Sequence, residues 1–308
     1  MNRRIVITQR VHPEIVELLS PYGQLTVNET TEPWPLEVLL EHARHATALM
    51  VFMPDSIDAA FLDQCPHLKI VAAALKGCDN FDVAACEKRG IRFTIVPDLL
   101  SEPTAELALA LLLGLARNVL AGDAAIRSGG FQGWRPALYG TGLGGSTVGL
   151  IGYGAVGRAL ERLISGFRCE LIWHDLREGG MALADVAARS DFLLPLLPLN
   201  PGSFHLINRE VLSRMKRGAF LINVGRGSVV DEEAVADALE AGHLAGYAAD
   251  VFEMEDWHRA DRPHEICHRL LDFRDRTLFT PHLGSATKAA RLAIERAAAW
   301  NIIEAFRG

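Results

Sequence analysis

The sequence predicts an α/β fold made of two doubly wound domains, each with a parallel sheet covered by helices, and a cleft between them. The first hundred residues alternate short apolar runs with amphipathic runs, which is typical of successive βα units. A second series of the same kind extends from "STVGLIGYG" to a final helix expected from Ala286 to about Phe306. The Gly-rich segment between the two series, residues 122–145, predicts a domain boundary.

The elements of the first series follow one another at short spacing. Strands are expected at "RIVIT", "ATALMVF", "LKIVAAAL" and "IRFTIV", with amphipathic segments at "PEIVELLSPYG", "AAFLDQC" and "VAACEKRG". One long helix is then expected from Ser101 to about Ala121, with Ser101 as its N-cap and Glu102 and Pro103 in its first turn. Apolar residues lie on most faces of this helix, so it must be buried, and a subunit interface is one place that would bury it.

Composition excludes several classes of protein. The chain has 308 residues, of which 49% are hydrophobic and 22% charged, as in ordinary globular domains. The net charge of -7 argues against a nucleic-acid surface. The most apolar helical run, Glu106 to Ala116, is about half the length that spans a bilayer, so no membrane association is expected. The five cysteines form no C-x-x-C pair and the start of the chain lacks a signal-peptide core, so we expect a cytoplasmic protein without disulfides, and no metal site is predicted.

A glycine pattern predicts a dinucleotide site. In "VGLIGYGAVGRAL", Gly152, Gly154 and Gly157 have the G-x-G-x-x-G spacing, after an apolar strand and at the start of a helix. Such glycines allow a sharp turn, a close approach of backbone to pyrophosphate, and tight packing of helix on sheet. The next strand ends at Asp175, where a carboxylate would accept both adenosine-ribose hydroxyls and repel a 2'-phosphate, which favours NAD. Arg177 leaves room for NADP, and an unliganded turn is the alternative for the glycines.

Three later strands are each followed by polar residues, in "INVGRGSVVDEEAV", "AADVFEMEDW" and "FTPHLGSAT". Carboxyl ends of parallel strands share one edge of a sheet, so one crevice is expected to hold Arg226, His282 and the acids Glu253, Glu255 and Asp256. Arginine can hold an anion, histidine can move a proton near neutral pH, and an acid can fix the histidine tautomer. Taken singly, the arginine could be a structural ion-pair partner and the histidine a loop cap. Glu253 and Asp256 are interpreted as a solvated acidic loop.

These motifs, with "GLIGYGAVG", resemble those of the D-2-hydroxyacid dehydrogenase family over essentially the whole chain. The resemblance implies that Arg226, Glu255 and His282 are the catalytic residues. Glu255 is preferred to Glu253 because the family's acid lies three residues after the aromatic at the strand end, here Phe252.

The resemblance also implies the domain organisation and the cofactor. A Rossmann NAD-binding domain, residues 101–285, would be inserted into a flavodoxin-like substrate domain formed by residues 1–100 and 286–308, in a homodimer built on the long helix. The residues expected to bind NAD are Gly152, Gly154, Ala155, Val156, Gly157, Asp175, Thr104, Pro198 and Asp250. Only fifteen residues separate Asp175 from Asp191, fewer than is usual in the family, and this region borders the adenosine site.

A narrower similarity concerns the substrate. The stretches "ALKGCDNFDV", "VPDLLSEPTAELAL" and "RSGGFQGWRPALYGTGL" are most similar to the family's phosphonate (phosphite) dehydrogenases, which oxidise phosphite to phosphate with NAD. The substrate-binding residues that this implies are Met53, Lys76, Gly77, Leu100, Trp134, Tyr139, Pro281 and Arg291. For two of the aromatics, Trp134 and Tyr139, packing of the hinge is the alternative, and for Arg291 an exposed position on its helix.

Lys76 carries the physical argument for phosphite. Phosphite is a small ion with up to two negative charges and no carbon tail, so once stripped of water it needs more positive charge than a carboxylate does. A lysine facing Arg226 would supply that charge, while His282 deprotonates an attacking water and hydride leaves phosphorus. The main alternative is oxidation of a D-2-hydroxy acid such as glycerate or lactate, and a further one is a non-catalytic NAD(H)-sensing protein.

Overall fold

The structure is a computed structural model that describes residues 3–256, 259 and 261–307. The chain divides into two compact units. Unit 1 comprises the described residues within 1–100, 257–260 and 286–308, and unit 2 those within 101–256 and 261–285. The roles predicted for these two parts of the chain stay predictions at this point.

Unit 1 is built on a five-stranded parallel sheet in the order β2-β1-β3-β4-β5, which is the flavodoxin-like order. Its strands are β1 (Arg4–Ile7), β2 (Gln24–Val27), β3 (Ala48–Val51), β4 (Ile70–Ala73) and β5 (Arg92–Thr94). Its helices are α1 (Pro13–Leu19), α2 (Leu36–Ala43), α3 (Ala59–Asp63), α4 (Val83–Lys88) and, near the end of the chain, α12 (Lys288–Arg307).

The core of unit 1 has two layers because neighbouring strand residues point to opposite faces of the sheet. On β3, Ala48 and Met50 pack in the layer that contains α12, whereas Leu49 and Val51 pack in the layer that contains α2 and α3. Both faces of this strand are therefore buried, which explains why a continuous apolar run predicted it.

Unit 2 is built on a seven-stranded sheet in the order β12-β11-β10-β9-β6-β7-β8, a Rossmann arrangement that is parallel except at β8. Its strands are β6 (Thr147–Ile151), β7 (Glu170–Asp175), β8 (Gly179–Gly180), β9 (Phe192–Pro195), β10 (Ala219–Asn223), β11 (Leu244–Ala249) and β12 (Thr277–Phe279). Its helices are α5 (Ser101–Ala116), α6 (Val119–Arg127), α7 (Ala155–Ile164), α8 (Leu183–Arg189), α9 (Arg209–Arg214), α10 (Glu232–Glu240) and α11 (His268–Asp272). The predicted α/β class with two parallel sheets is confirmed.

The prediction of one unbroken helix from Ser101 to about Ala121 is wrong. Asn118 has a left-handed backbone (φ 52°), so α5 and α6 are separate helices bent by 61°. Ser101 is the first residue of α5 rather than its N-cap, and its buried hydroxyl has no hydrogen-bond partner among the described residues. No single helix in the described chain is long and apolar enough to cross a membrane, although the bent α5–α6 pair passes that test by length and composition.

The short segment after Asp175 folds as a tight hairpin. Strand β8 turns back and pairs antiparallel with the end of β7, so a further parallel strand does not form there. Gly180 has a φ of 97°, and a side chain at this position would lie 2.4 Å from the carbonyl oxygen of Trp173. The hairpin thus needs glycine both for its backbone conformation and for space.

Candidate active site

The turn between β6 and α7 has the geometry that a dinucleotide needs. Gly152 has a φ of 101°, and a Cβ there would lie 2.8 Å from the carbonyl oxygen of Leu196. A Cβ on Gly157 would lie 3.1 Å from the oxygen of Gly152, so α7 packs closely on the turn. A Cβ on Gly154 would meet nothing within 4 Å. The side of the turn at Gly154 is therefore open for a pyrophosphate, in front of the first amides of α7.

Asp175 joins the end of β7 to this turn. Its Oδ2 accepts a hydrogen bond from the amide of Tyr153 (2.8 Å), and its Oδ1 accepts from the amides of Arg177 (2.7 Å) and Glu178 (3.0 Å). These bonds lower the pKa of the carboxyl, and the bond from the amide of Glu178 has the largest effect. Since a carboxylate offers about four acceptor positions, about one remains for a ribose hydroxyl rather than the two expected. The turn and the ionised acid together fit NAD.

His282 and Glu255 form a hydrogen-bonded pair. Nδ1 of His282 lies 2.6 Å from Oε2 of Glu255, and Oε1 of the same carboxylate accepts a bond from the amide of Phe252 at 2.8 Å. The two side chains are 33% and 23% exposed, so the pair is accessible from one side. The carboxylate can therefore hold the proton on Nδ1 and leave Nε2 to exchange a proton with a substrate.

The loop that carries His282 is held by Asp250, which is almost completely buried. Its Oδ1 accepts bonds from the hydroxyl of Thr280 and the amide of Leu283, both at 2.6 Å, and its Oδ2 accepts from the amide of Gly284 at 2.8 Å. Burial raises the pKa of this carboxyl, and the bond from Thr280 is the main opposing effect. His282 itself has a left-handed backbone (φ 55°) that these contacts stabilise.

Asp250, which is predicted to bind the cofactor, thus supports the loop of His282, and Thr104, for which the same is predicted, lies beside this loop. A Cβ on Gly284 would lie 3.2 Å from the hydroxyl of Thr104. Pro198, the other predicted cofactor residue on a loop, is exposed, and its carbonyl accepts a bond from the hydroxyl of Ser203 at 2.7 Å. For these three residues cofactor binding stays a prediction.

Arg226 follows β10, one of the three neighbouring strands that end in polar loops. Its carbonyl accepts a bond from the side-chain amide of Asn223 at 3.0 Å, and its Nη1 donates to the carbonyl of Gly225 at 2.9 Å. The next residue, Gly227, has no space for a side chain, since a Cβ would lie 1.9 Å from the carbonyl carbon of Phe252. The backbone at Arg226 is therefore packed directly against the loop that leads to Glu255.

The interpretation of Glu253 and Asp256 as a solvated acidic loop is wrong, because both residues are buried. Oε2 of Glu253 lies 3.0 Å from Nε2 of His205, and Asp256 accepts bonds from both the amide and the hydroxyl of Ser228. Acidic residues in a loop predict solvent contact only when no other segment covers the loop. Here two short 3₁₀ helices, Gly227–Val229 and Glu253–Glu255, pack on each other. Among the described residues no group of three or more His, Cys, Asp or Glu side chains is arranged to hold a metal ion.

The predicted substrate residues of unit 1 lie on loops that follow its strands and on α12. Nζ of Lys76, three residues beyond the end of β4, lies 3.6 Å from Oδ1 of Asp98, and both side chains are exposed. The carbonyl of Met53 accepts a bond from the side-chain amide of Asn80 at 2.7 Å. Gly77 and Leu100 are partly buried.

Arg291, also in unit 1, is not the exposed helix residue that was the alternative interpretation. Its guanidinium lies 5.6 Å from the ring centre of Phe52 and 3.6 Å from Oε1 of the buried Glu295. Burial lowers the pKa of the guanidinium, and the Glu295 carboxylate opposes that effect.

In unit 2, Trp134 and Tyr139 are 82% and 77% exposed. Packing within a hinge is therefore not their role in this structure. Pro281, beside His282, is exposed as well. For all the predicted substrate residues, substrate binding stays a prediction.

Comparison with known proteins places this geometry in a family. The family profile described as "D-isomer specific 2-hydroxyacid dehydrogenase, NAD binding domain" matches residues 109–284. Glyoxylate reductase of Aeropyrum pernix is 37% identical over 99% of this chain and 93% of its own length, and that of Thermococcus onnurineus is 34% identical over 98% and 92%. The chain belongs to the D-isomer specific 2-hydroxyacid dehydrogenase family.

Solved structures agree with this assignment. The TT0316 protein of Thermus thermophilus has a TM-score of 0.89 at 33% identity, covering 99% of this chain and 97% of its own. An NADPH-dependent glyoxylate/hydroxypyruvate reductase of Sinorhizobium meliloti, solved with NADP and malonate, has a TM-score of 0.84 at 29% identity, covering 98% and 93%. This chain is thus an oxidoreductase of the D-2-hydroxyacid dehydrogenase type with an NAD-binding domain. The relatives are named glyoxylate reductase, so they do not support the narrower similarity to phosphonate dehydrogenases.

Proposed function

We propose that this chain transfers a hydride between NAD(H) and C2 of a small 2-oxo or D-2-hydroxy acid, with glyoxylate as the first substrate to test. The observation that carries the proposal is the 2.6 Å pair of His282 and Glu255, which lies beside the loop of Arg226 in the NAD-binding unit. NAD supplies a hydride acceptor at its nicotinamide ring. The chain must then bind an anion, orient it and move one proton, and these three groups supply those functions.

Each residue has a distinct role in this proposal. The guanidinium of Arg226 offers a planar fork of donors for the substrate carboxylate. In the direction of reduction, Nε2 of His282 donates a proton to the carbonyl oxygen of the substrate, and in the direction of oxidation it removes the proton from the hydroxyl. Glu255 keeps the imidazole in the orientation and tautomer that allow this exchange, and it stabilises the ring when it is protonated.

NAD rather than NADP is the proposed cofactor. The ionised carboxylate of Asp175 lies at the end of β7 next to the glycine turn, where a 2'-phosphate would meet its negative charge. The relative that is named NADPH-dependent makes direct measurement necessary. Comparison of the dissociation constants for NADH and NADPH should show tighter binding of NADH, and equal affinities would remove Asp175 as a selecting residue.

Phosphite oxidation is the second candidate, and Lys76 is the specific observation that favours it. Among the residues that the structure describes, its ammonium forms a 3.6 Å ion pair with a highly exposed carboxylate, and such an exposed pair is weak enough for an anion to compete with it. In that reaction His282 would take a proton from water as the water oxygen bonds to phosphorus and hydride leaves the P–H bond for the nicotinamide. The products are phosphate and reduced cofactor.

One set of assays separates the candidate functions. The purified chain is mixed with NADH and either glyoxylate or hydroxypyruvate, and in parallel with NAD and either phosphite, D-glycerate or D-lactate, while the reduced cofactor is followed by absorbance. We expect NADH consumption with glyoxylate. Turnover with phosphite alone would replace the first proposal by the second. Tight NADH binding without turnover of any substrate would instead indicate an NAD(H)-sensing protein.

We also propose roles for the two domains and a dimeric assembly. Residues 1–100 and 286–308 would form the substrate domain and residues 101–285 the nucleotide-binding domain of a cytoplasmic homodimer. On α6, Val119, Leu120 and Ile126 are all more than half exposed, which would suit contact with a second copy of the chain. Light scattering of the full chain should give twice the mass of one chain, and a monomer at micromolar concentration would contradict this.

A further inference from the structure

Two loops that carry proposed catalytic residues are joined by a buried hydrogen-bonded contact. Ser228, two residues after Arg226, donates both its amide (2.9 Å) and its hydroxyl to Oδ2 of Asp256, the residue directly after Glu255. Both Ser228 and Asp256 are almost completely buried. A buried carboxylate is costly unless donors compensate it, so these donors are part of how this acid is tolerated.

A second contact braces the same two loops. The amide of Glu253 donates to Oε1 of Glu232 at 2.9 Å, while the amide of Glu232 lies 3.3 Å from Oε1 of Glu253. Oε2 of Glu232 accepts a further bond from the amide of Cys267 at 3.1 Å. Each of these two glutamates thus places its carboxylate next to the backbone amide of the other. Together with the absence of space at Gly227, they leave little freedom for one loop to move against the other.

We propose that Asp256, through Ser228, is a positioning residue that fixes Arg226 relative to the Glu255–His282 pair. Asp256 is buried and contacts the loop of Arg226, so it acts through other residues rather than on a substrate. The anion-binding guanidinium and the proton-transferring imidazole must be held at a fixed separation, since a misplacement of about 1 Å can lower a rate by about 100-fold. This inference rests on the proposed function.

The test is a double-mutant cycle on kcat/KM for the best substrate found in the assays above. Asp256→Asn removes the charge while keeping the shape of the side chain, and Arg226→Lys removes the guanidinium fork while keeping a charge and measurable activity. We expect Asp256→Asn to lower kcat/KM by about 10- to 100-fold in the native chain but by less than about 3-fold in the Arg226→Lys background. The dissociation constant for NADH should stay within about twofold, because the glycine turn is not involved.

Three outcomes are decisive. An equal loss in both backgrounds would mean that Asp256 only supports the fold, and it would overturn the inference. An intact kcat/KM in Asp256→Asn alone would do the same. If Arg226→Lys itself retains full activity, the proposed function fails at its anion-binding residue, which is a separate result.

Two variants guard against a folding artefact. Ser228→Ala removes only the hydroxyl donor and leaves the amide, so it should show the same pattern with a smaller loss if Asp256→Asn does not fold. Asp191→Asn is the matched control. Asp191 also accepts a hydrogen bond from a backbone amide, that of Thr147 at 2.8 Å, but this bond lies at the amino end of β6 and not at the carboxyl ends of strands, where the proposed catalytic residues lie. It should change the melting temperature without changing kcat/KM.

Discussion

The strand ends of the two sheets differ in how they hold charged groups. In unit 2, Asp250 and Asp256 are buried and accept bonds from backbone amides of the loops that they support. In unit 1, Lys76 is exposed and forms a long ion pair, 3.6 Å, with an exposed aspartate. Groups held by several buried bonds have one position, whereas an exposed lysine has many. We propose that proton transfer depends on the rigid edge, that of unit 2, and that residues on the adjustable edge, that of unit 1, affect the choice of substrate.

Unit 1 also has a buried carboxylate at its strand ends, so the contrast concerns the residues with proposed roles rather than every charged group of the two sheets. Asp55 accepts bonds from the amide of Phe52 (2.7 Å) and from the hydroxyl of Thr8, so it connects the loops after β1 and β3. Met53, a predicted substrate residue, lies in the loop after β3, but none of the proposed catalytic residues lies in these two loops. The Asp55 carboxylate should therefore mainly affect the stability of the fold.

The largest expected effect is on the rigid edge. His282→Asn keeps a hydrogen-bonding side chain next to Glu255 but removes the group that exchanges the proton. We expect kcat to fall by about 10²- to 10⁴-fold, as for loss of a general acid or base. NADH binding, measured by fluorescence titration, should persist. A variant with more than half of the native kcat would show that His282 is not the proton-transferring group.

The next effect concerns Asp55 and the pH dependence of stability. Burial raises the pKa of its carboxyl from 3.8 to about 6, while the bonds from Thr8 and Phe52 oppose this. The folded chain holds the proton more tightly than the unfolded chain, so this group stabilises the fold below about pH 4 and loses that contribution as the pH rises through about 6. In Asp55→Asn the side chain is a neutral amide that does not titrate, so the variant does not lose this contribution as the pH rises. The free energy of unfolding of the variant minus that of the native chain should therefore rise by about 2 to 3 kcal/mol between pH 4 and pH 7.

Urea unfolding at both pH values measures this difference. The control is Asp123→Asn, which changes a half-exposed aspartate on α6 and should leave the pH dependence as it is in the native chain. If Asp55→Asn and the native chain lose stability in parallel as the pH rises, the Asp55 carboxyl is not protonated in the folded state.

The smallest effect tests the glycine turn. A methyl group in Gly154→Ala meets no protein atom within 4 Å, so the melting temperature should not change, but the methyl would lie where the pyrophosphate approaches. We expect the dissociation constant for NADH to rise by about 10-fold, equivalent to roughly 1.4 kcal/mol. Gly152→Ala is the matched variant, since its left-handed backbone and the nearby Leu196 oxygen should make it destabilising instead. Unchanged NADH affinity in Gly154→Ala would place the pyrophosphate elsewhere.

Much of the rigid edge could be predicted because it depends on local patterns. Buried parallel strands are continuous apolar runs, and polar residues that follow them must meet at one sheet edge. That reasoning placed Arg226, His282 and three acids at one edge, and the resemblance to the family chose Glu255 among the acids. The structure places His282 and Glu255 within hydrogen-bonding distance. Their catalytic roles stay predictions.

The supporting contacts could not be predicted in the same way. Ser228 and Asp256 are 28 residues apart, and no helix or strand periodicity in the sequence relates the two positions. From sequence alone, Asp256 is therefore interpreted as part of a solvated loop. The break after α5 was missed because Asn118 does not interrupt the apolar pattern of the helix and acts only through its backbone conformation. Asp250 was expected to bind the cofactor, whereas its hydrogen bonds to the loop of His282 became visible only in three dimensions.

The proposed division of roles between the rigid edge of unit 2 and the adjustable edge of unit 1 is tested most directly by comparing two variants on two substrates. The measurement is the ratio of kcat/KM for glyoxylate to that for hydroxypyruvate in the native chain, in Glu255→Gln and in Lys76→Met. We predict that Glu255→Gln lowers both values by about 10²-fold and leaves their ratio unchanged, while Lys76→Met changes the ratio by about 10-fold. A ratio that shifts in Glu255→Gln and stays constant in Lys76→Met would contradict the division.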